Sequence, residues 1–238
     1  MSTANAFTWG SLATPINHSM ESFGVDAHVG FDVICTSLLL IILAFFGGMK
    51  FRQGARIQPT GQLDFSTFFE ILIGGVFNFT KTIIHDKARP LFFLTGTLAF
   101  FILFNNLIGL VPGFNPPSDQ FNVTIVLGMF AFVFTHILGF QSQGIAYIKH
   151  FMGPVWWLAW LMFPIEIISH LVRPLSLALR LFGNITGDHK VGAVFFGILP
   201  LILPLPFIGL GLFVSFVQTF VFLLLTLVYF SMATSHDH

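Results

Sequence analysis

Residues Pro164–Asn184 read P-I-E-I-I-S-H-L-V-R-P-L-S-L-A-L-R-L-F-G-N, an apolar stretch that nevertheless carries Glu166, His170, Arg173 and Arg180. An ionised side chain at membrane depth costs about 2.5–3.5 kcal/mol on insertion scales, and more in simulation. Holding a helix in lipid requires no such cost. The stretch therefore predicts a membrane helix whose polar side chains serve ion or proton movement, with Arg180 at the critical point.

The rest of the chain agrees that lipid is the solvent. Charged residues make up 8% of the 238 residues, hydrophobic ones 55%, and Phe alone occurs 33 times. Soluble domains carry about 25% charged residues, so this chain has too few to cover itself with a hydrated surface. Its formal net charge of zero offers no basic face to nucleic acid. Cys35, the single cysteine, lies in an apolar run, so neither a disulfide nor a cysteine metal site is available. No metal or cofactor is expected. Residues 1–30 are polar, without a basic segment leading into an apolar core, so no cleavable signal peptide is evident.

The expected fold is an all-α integral membrane domain over residues 31–238, preceded by an extracytoplasmic segment, 1–30. Uncharged apolar runs at 33–49, 91–111 and 121–140 predict the first three spans. Between the second and third, Pro112–Gln120 contains three prolines, a glycine and Asp119, which predicts a tight hairpin outside the lipid. Residues 64–85 place Phe65, Phe68, Phe69, Leu72, Val76, Phe77, Thr80 and Ile84 at steps of three or four. That spacing predicts an amphipathic helix on the cytoplasmic membrane face, or one packed against other subunits.

The last two spans are expected at 164–199 and 207–232. Between Lys190 and Asp237 no charged residue occurs other than histidine. As one helix that run would be about 70 Å long, over twice the hydrocarbon thickness of about 30 Å. Pro200, Pro204, Pro206, Gly209 and Gly211 supply the turn back. A helix over 164–199 would itself measure about 54 Å, so it must tilt steeply or break at Gly183–Gly187. The long tilted helix is the preferred reading. Trp156, Trp157 and Trp160 before it look like an interfacial belt. Lys50, Arg52, Arg56, Lys81, Lys87, Arg89 and Lys149 all flank spans on one side. The positive-inside rule then puts the N-terminus and the 112–120 hairpin outside, and the C-terminus in the cytoplasm.

Glu166, Ser169, His170, Arg173, Ser176, Arg180, Asn184, Gly187 and Asp188 line one face of such a helix. A line of this kind should face a water-filled cavity or another protein. Several members also have plainer readings. Glu166 suits a helix N-terminus, and His170 suits a packed, hydrogen-bonded site. Arg173 suits snorkelling or an ion pair with Glu166. Ser169 and Ser176 suit bonds to carbonyls four residues back, and Asn184 suits a bridge between helices. Arg180, some sixteen residues into the helix, is too deep for end-anchoring. Asp188, His189 and Lys190 mark either a loop or an aqueous pocket, and in the pocket His189 is the natural proton carrier.

Pro174–Asn184, P-L-S-L-A-L-R-L-F-G-N, resembles the signature of subunit a of the F-type ATP synthase, the stator half of its proton channel. N-N-L-I-G-L-V-P-G (105–113) and Q-T-F-V-F-L-L-L-T-L-V-Y-F-S-M-A (218–233) resemble the same family, and the likeness covers about residues 30–234. It implies that Arg180 faces carboxylates on a rotating ring of two-helix c subunits. The last two helices would then form a tilted hairpin against that ring. It implies two offset half-channels, with Glu166, Ser169, Ser176 and Asn184 at the family's polar positions and Gln218 near the arginine. Nine residues after the arginine the family carries Glu or His, and this chain has His189. Members with Glu there often carry His seven residues before the glutamine, whereas this chain has Gly211, which leaves Asp188 or His189 for that task.

The implied partners are the c ring, the b-subunit peripheral stalk and the lipid bilayer, with no small-molecule substrate beyond the coupling ion, proton or sodium. ATP chemistry would lie on other chains. The expected host is a bacterial inner membrane, with the mitochondrial inner membrane as the alternative. An ion-coupled secondary transporter is the competing function, although the internal repeat of such proteins is not evident. An intramembrane enzyme would need Ser169 paired with His136 or His170, and Ser169 and His170 are neighbours pointing about 100° apart on a helix.

Overall fold

The computed structural model describes residues 27–52, 65–111, 114–144, 147, 157, 159–198 and 204–234. The expectations for residues 1–26, for Trp156 and for the His-Asp-His tail fall outside them. Six α-helices account for nearly all of this: α1 Ala27–Arg52, α2 Phe65–Ile84, α3 Ala88–Ile108, α4 Phe121–Gln143, α5 Ala159–Ile198 and α6 Pro204–Thr234. Two single turns of 3-10 helix, His85–Lys87 and Pro117–Asp119, lie at the bends. No strand occurs among the described residues.

Four of these helices, α3, α4, α5 and α6, are long and apolar enough to cross a membrane, and Gly30–Phe45 within α1 is a shorter apolar stretch. The chain is an α-helical integral membrane protein. Lipid cannot hydrogen-bond a backbone, so every spanning amide must be satisfied within its own helix. Even the hydroxyls follow that rule. Thr36, Thr80, Thr95, Thr135, Thr219, Thr226 and Thr234 each donate to the carbonyl four residues back, at 2.8–3.1 Å.

α5 is a single helix of 40 residues, unbroken at Gly183–Gly187 and running through both Pro164 and Pro174. At 1.5 Å per residue it is about 60 Å long, roughly twice the hydrocarbon thickness, so it cannot stand upright in a bilayer. Each proline removes one helix hydrogen bond. The Pro174 carbonyl lies against Gly128 of α4, where an added Cβ would sit 2.7 Å from the oxygen.

Two clusters hold the helices together. Leu98 and Ile102 of α3, Leu127 and Ala131 of α4, Leu177, Leu181 and Ile185 of α5, and Phe222 of α6 form the first. Ile84 of α2, Leu91 and Ala99 of α3, and Leu223, Leu227 and Phe230 of α6 form the second. Lipid tails are as apolar as these side chains, so close van der Waals fit holds them rather than transfer out of water.

At the end of the bundle where α6 finishes, three side chains converge on its last carbonyls. Lys87 Nζ donates to Thr234 O at 2.7 Å, Ser142 Oγ to the same oxygen at 3.3 Å, and Gln143 Nε2 to Ala233 O at 3.5 Å. A cation at a helix C-terminus is favourable against the helix dipole.

α2 is amphipathic as the spacing predicts, and the chain itself covers the end of its apolar face nearest α3. Thr80 and Ile84 are buried, Phe79 packs on Phe220 at 4.7 Å between ring centroids, and Glu70 and Lys81 are exposed. His85, at φ 55°, takes the left-handed conformation that turns α2 into α3.

The turn between α3 and α4 is docked into the bundle. Pro117 and Ser118 are buried, and their turn packs against α1, α3, α4 and α5. Its prolines make the bend while Gly109 admits the ring of Pro116, which an added Cβ there would strike.

Candidate functional site

Helical spacing sorts the polar residues of α5 into an exposed line and two partly buried ends. Ser169, Ser176, Arg180 and Asn184 stand exposed, surrounded by exposed Ile168, Val172, Leu175 and Leu179. On the neighbouring helix, Phe213, Phe216, Val217 and Phe220 of α6 are exposed as well. Arg180 is thus a cation on an outward-facing apolar surface, and among the described residues no carboxylate forms an ion pair with it.

One turn beyond Arg180, Asn184 Nδ2 donates to Gln218 Oε1 at 2.8 Å and ties α5 to α6. Gln218 is otherwise buried, at 3% exposure. The pair makes Asn184 a bridge between helices, one of the two readings its position allowed, and sets Gln218 one turn from the level of Arg180. Replacing Gln218 with Leu removes this hydrogen bond, whose net worth is about 0.5–1.5 kcal/mol. In a double-mutant cycle, Asn184→Leu combined with Gln218→Leu is expected to cost less in thermal stability than the sum of the single changes.

Toward the start of α5 lies the first polar end. Glu166 Oε1 accepts from His170 Nε2 at 3.3 Å, and His170 is buried. The His170 ring meets that of His136 on α4 edge to face, at 5.3 Å between centroids. His136 presents Nδ1 to the Phe132 carbonyl at 2.9 Å; a carbonyl only accepts, so that nitrogen carries the hydrogen. Tyr147 closes the group, 5.9 Å from His136. Burial pushes the Tyr147 phenol up against the opposing pull of Arg173, which keeps it a neutral donor. The Arg173 guanidinium lies 5.2 Å over the Tyr229 ring. The Glu166–Arg173 pair considered from the sequence is therefore replaced by Glu166–His170 and Arg173–Tyr229. The reason is geometric: His170 sits one turn from the carboxylate and Arg173 two. His136, His170, Arg173 and Tyr229 line a small, open recess.

The second polar end lies near residue 189. His189 Nδ1 approaches Asp119 Oδ2 of the 3-10 turn at 3.6 Å. Burial works to raise the Asp119 carboxyl, but His189, the Thr186 hydroxyl and the charge of Lys190 outweigh it and leave it lowered. Such a carboxylate stabilises the docked turn above the ordinary carboxylate range, and that contribution is lost as pH falls through its lowered value. Around the pair, Asn105, Asn106 and Ser118 are almost wholly buried with no hydrogen-bond partner for their side-chain polar atoms. Asp119 Oδ1 and Asp188 Oδ2 are equally unpartnered. Buried polar groups of this kind are ordinarily met by water.

Along α5, His170 lies ten residues from Arg180 and His189 nine, about 15 and 14 Å at helical rise. Two polar ends with an exposed cation midway between them form one arrangement. No group of three or more metal-ligating side chains occurs among the described residues.

Sequence reasoning left His136 as an isolated residue on its span and Asp119 as turn chemistry. An ionisable residue inside a span was the available signal for His136. For Asp119 there was none, because its partner lies 70 residues away.

The family described as ATP synthase A chain matches residues 33–231. ATP synthase subunit a of Geobacter sulfurreducens is 43% identical over 212 residues, covering 89% of this chain and 91% of that protein. The protein of the same description from Desulfosudis oleivorans is 45% identical over 227 residues, covering 92% and 95%. ATP synthase subunit a 1 of Pelobacter propionicus is 42% identical over 219 residues, covering 92% of each.

Proposed function

Because the chain belongs to the ATP synthase subunit a family, a multi-pass membrane subunit of a bacterial rotary ATP synthase, we propose that Arg180 is the stator charge that parts two proton half-channels. The observation that carries this reading is the exposed position of Arg180 on an apolar surface, midway between two polar ends. An unpaired cation on such a surface needs a partner supplied by another chain. A ring of two-helix c subunits, each with a membrane-embedded carboxylate, supplies it, and the exposed side chains of α5 and α6 offer the matching apolar wall.

Arginine stays charged throughout, so it does not relay protons itself. It favours the ionised form of an arriving carboxylate, as an opposite charge within about 4–6 Å does, and so releases that group's proton. It also bars direct passage between the two ends. Glu166, Ser169 and His170, with Ser176 nearer the arginine, serve the access on the cytoplasmic side. Asp188 and His189 serve the access on the outer side, with Asn184 and Gln218 between them and Arg180. This assignment follows the orientation set by the positive-inside rule. A proton entering one access must travel with the ring before leaving by the other. Each charge crossing 100 mV is worth about 2.3 kcal/mol, which turns the ring.

Co-purification tests the class. A tagged chain extracted in mild detergent should bring down a small proteolipid whose carboxylate reacts with a hydrophobic carbodiimide, along with a peripheral-stalk b subunit. A chain that purifies without any proteolipid while transporting a solute overturns the proposal.

A further inference from the structure

We propose that Asp119, at the tip of the turn between α3 and α4, is a positioning residue that draws protons from the outer water onto His189. The turn itself is thereby part of the outer access. This rests on the two-access reading above and adds to it a residue from another part of the chain.

Three observations carry it. The Asp119 carboxylate and the His189 imidazole face each other at 3.6 Å across two elements. That gap is longer than a hydrogen bond, so what Asp119 supplies is charge. The turn is held there by burial of Pro117 and Ser118, so the carboxylate is aimed inward rather than left free in solvent. Finally, Asn105, Asn106 and Ser118 present buried polar atoms with no partner. Ile102 and Ile185 share one apolar cluster, and one helical turn beyond them lie Asn105–Asn106 on α3 and Asp188–His189 on α5. The same level of the bundle therefore holds both the ion pair and groups fit to bind water.

The step is a proton transfer alone. With the Nδ1 hydrogen of His189 directed at Asp119, a proton from outer water adds to Nε2, and the carboxylate offsets the imidazolium charge. The proton then leaves Nε2 toward Asp188 or water on the path to Arg180, and the imidazole returns to neutral. Gly211, across the bundle on α6, offers no side chain to this end, because Leu110 already fills the space beside it and would lie 2.9 Å from an added Cβ.

Among the described residues, the charged groups near the pair are few. Asp188 and Lys190 flank His189 on α5, and Asp32 is buried on α1, which also packs against the turn. α3 and α4 contribute only neutral polar side chains at this end.

The test uses the assembled complex in vesicles, with ATP synthesis followed at constant driving force while the outer pH is varied. Asp119→Asn is expected to lower the rate several-fold near neutrality and to move its alkaline limb about one unit toward acid, on the scale of losing an opposite charge at this range. Asp119→Glu should restore both. Asp119→Asn combined with His189→Gln should be no slower than His189→Gln alone. An unshifted limb in Asp119→Asn, or an equal loss at every pH without rescue by Asp119→Glu, overturns the proposal. Should Asp119→Asn fail to assemble, His189→Gln reads the same limb, and no shift there overturns it as well. Arg180→Ala run alongside separates the two readings. Coupling that survives Arg180→Ala defeats the stator account, whereas loss there with an unaltered Asp119→Asn defeats this inference alone.

Discussion

Arg180→Ala is expected to reduce ATP-driven proton pumping by at least about 100-fold, the scale of removing one partner of a desolvated ion pair. The ATPase activity of the detached catalytic sector should be unchanged. Arg180 stands alone on an apolar surface, so no neighbouring cation can take its place opposite a ring carboxylate. Arg180→Lys should fail nearly as badly. Lysine can lose its proton against an apolar wall, and it lacks the planar fork that holds a carboxylate at fixed geometry. Quenching of a pH-sensitive dye in inverted vesicles gives the measurement, with assembly checked by the amount of proteolipid retained. Coupled pumping in either variant, at normal assembly, would falsify the stator role.

Gly128 is expected to show the largest structural effect. Its missing side chain lets α4 approach the backbone of α5, where an added Cβ would lie 2.7 Å from the Pro174 carbonyl oxygen and 3.6 Å from Ala178 Cβ. A backbone atom cannot swing aside as a flexible side chain does, so the helices must part. Gly128→Ala should cost about 1–3 kcal/mol, the usual range for overpacking, and Gly128→Leu should leave little folded subunit in the membrane. Gly75→Ala, at an exposed helical glycine with no atom within 4 Å of the added Cβ, is the control. It should be neutral or slightly stabilising through helix propensity. Thermal unfolding in detergent compares the three. Equal melting temperatures for Gly128→Ala and Gly75→Ala would show that the close approach at Pro174 is not what holds α4 to α5.

Both effects turn on α5, and the two were unequally visible beforehand. The 3–4 spacing of Glu166, Ser169, Arg173, Ser176, Arg180 and Asn184 marks a polar line regardless of what packs around it, because helical geometry alone sets which residues share a face. Gly128 carried no comparable mark. A glycine in an apolar span reads the same whether it faces lipid or touches another backbone, and only the partner helix distinguishes them.

The same limit applies to the two polar ends. Glu166 and His170, four apart on one helix, could be paired by spacing, and His136 could not, since α4 and α5 meet only after folding. Arg173 was open to two readings from the sequence, snorkelling or an ion pair with Glu166. Packing offered it the Tyr229 ring instead.

Composition and periodicity were enough to establish a helical chain in lipid, a proline-rich turn between α3 and α4, and an arginine too deep to be an anchor. Each of those follows from interactions within a few residues, or from the cost of a charge in hydrocarbon. The junction of Asp119 with His189, of His136 with His170 and of Gly128 with Pro174 came from elsewhere. Residues far apart in sequence meet through the summed packing of several helices, and no local pattern records where that packing brings them.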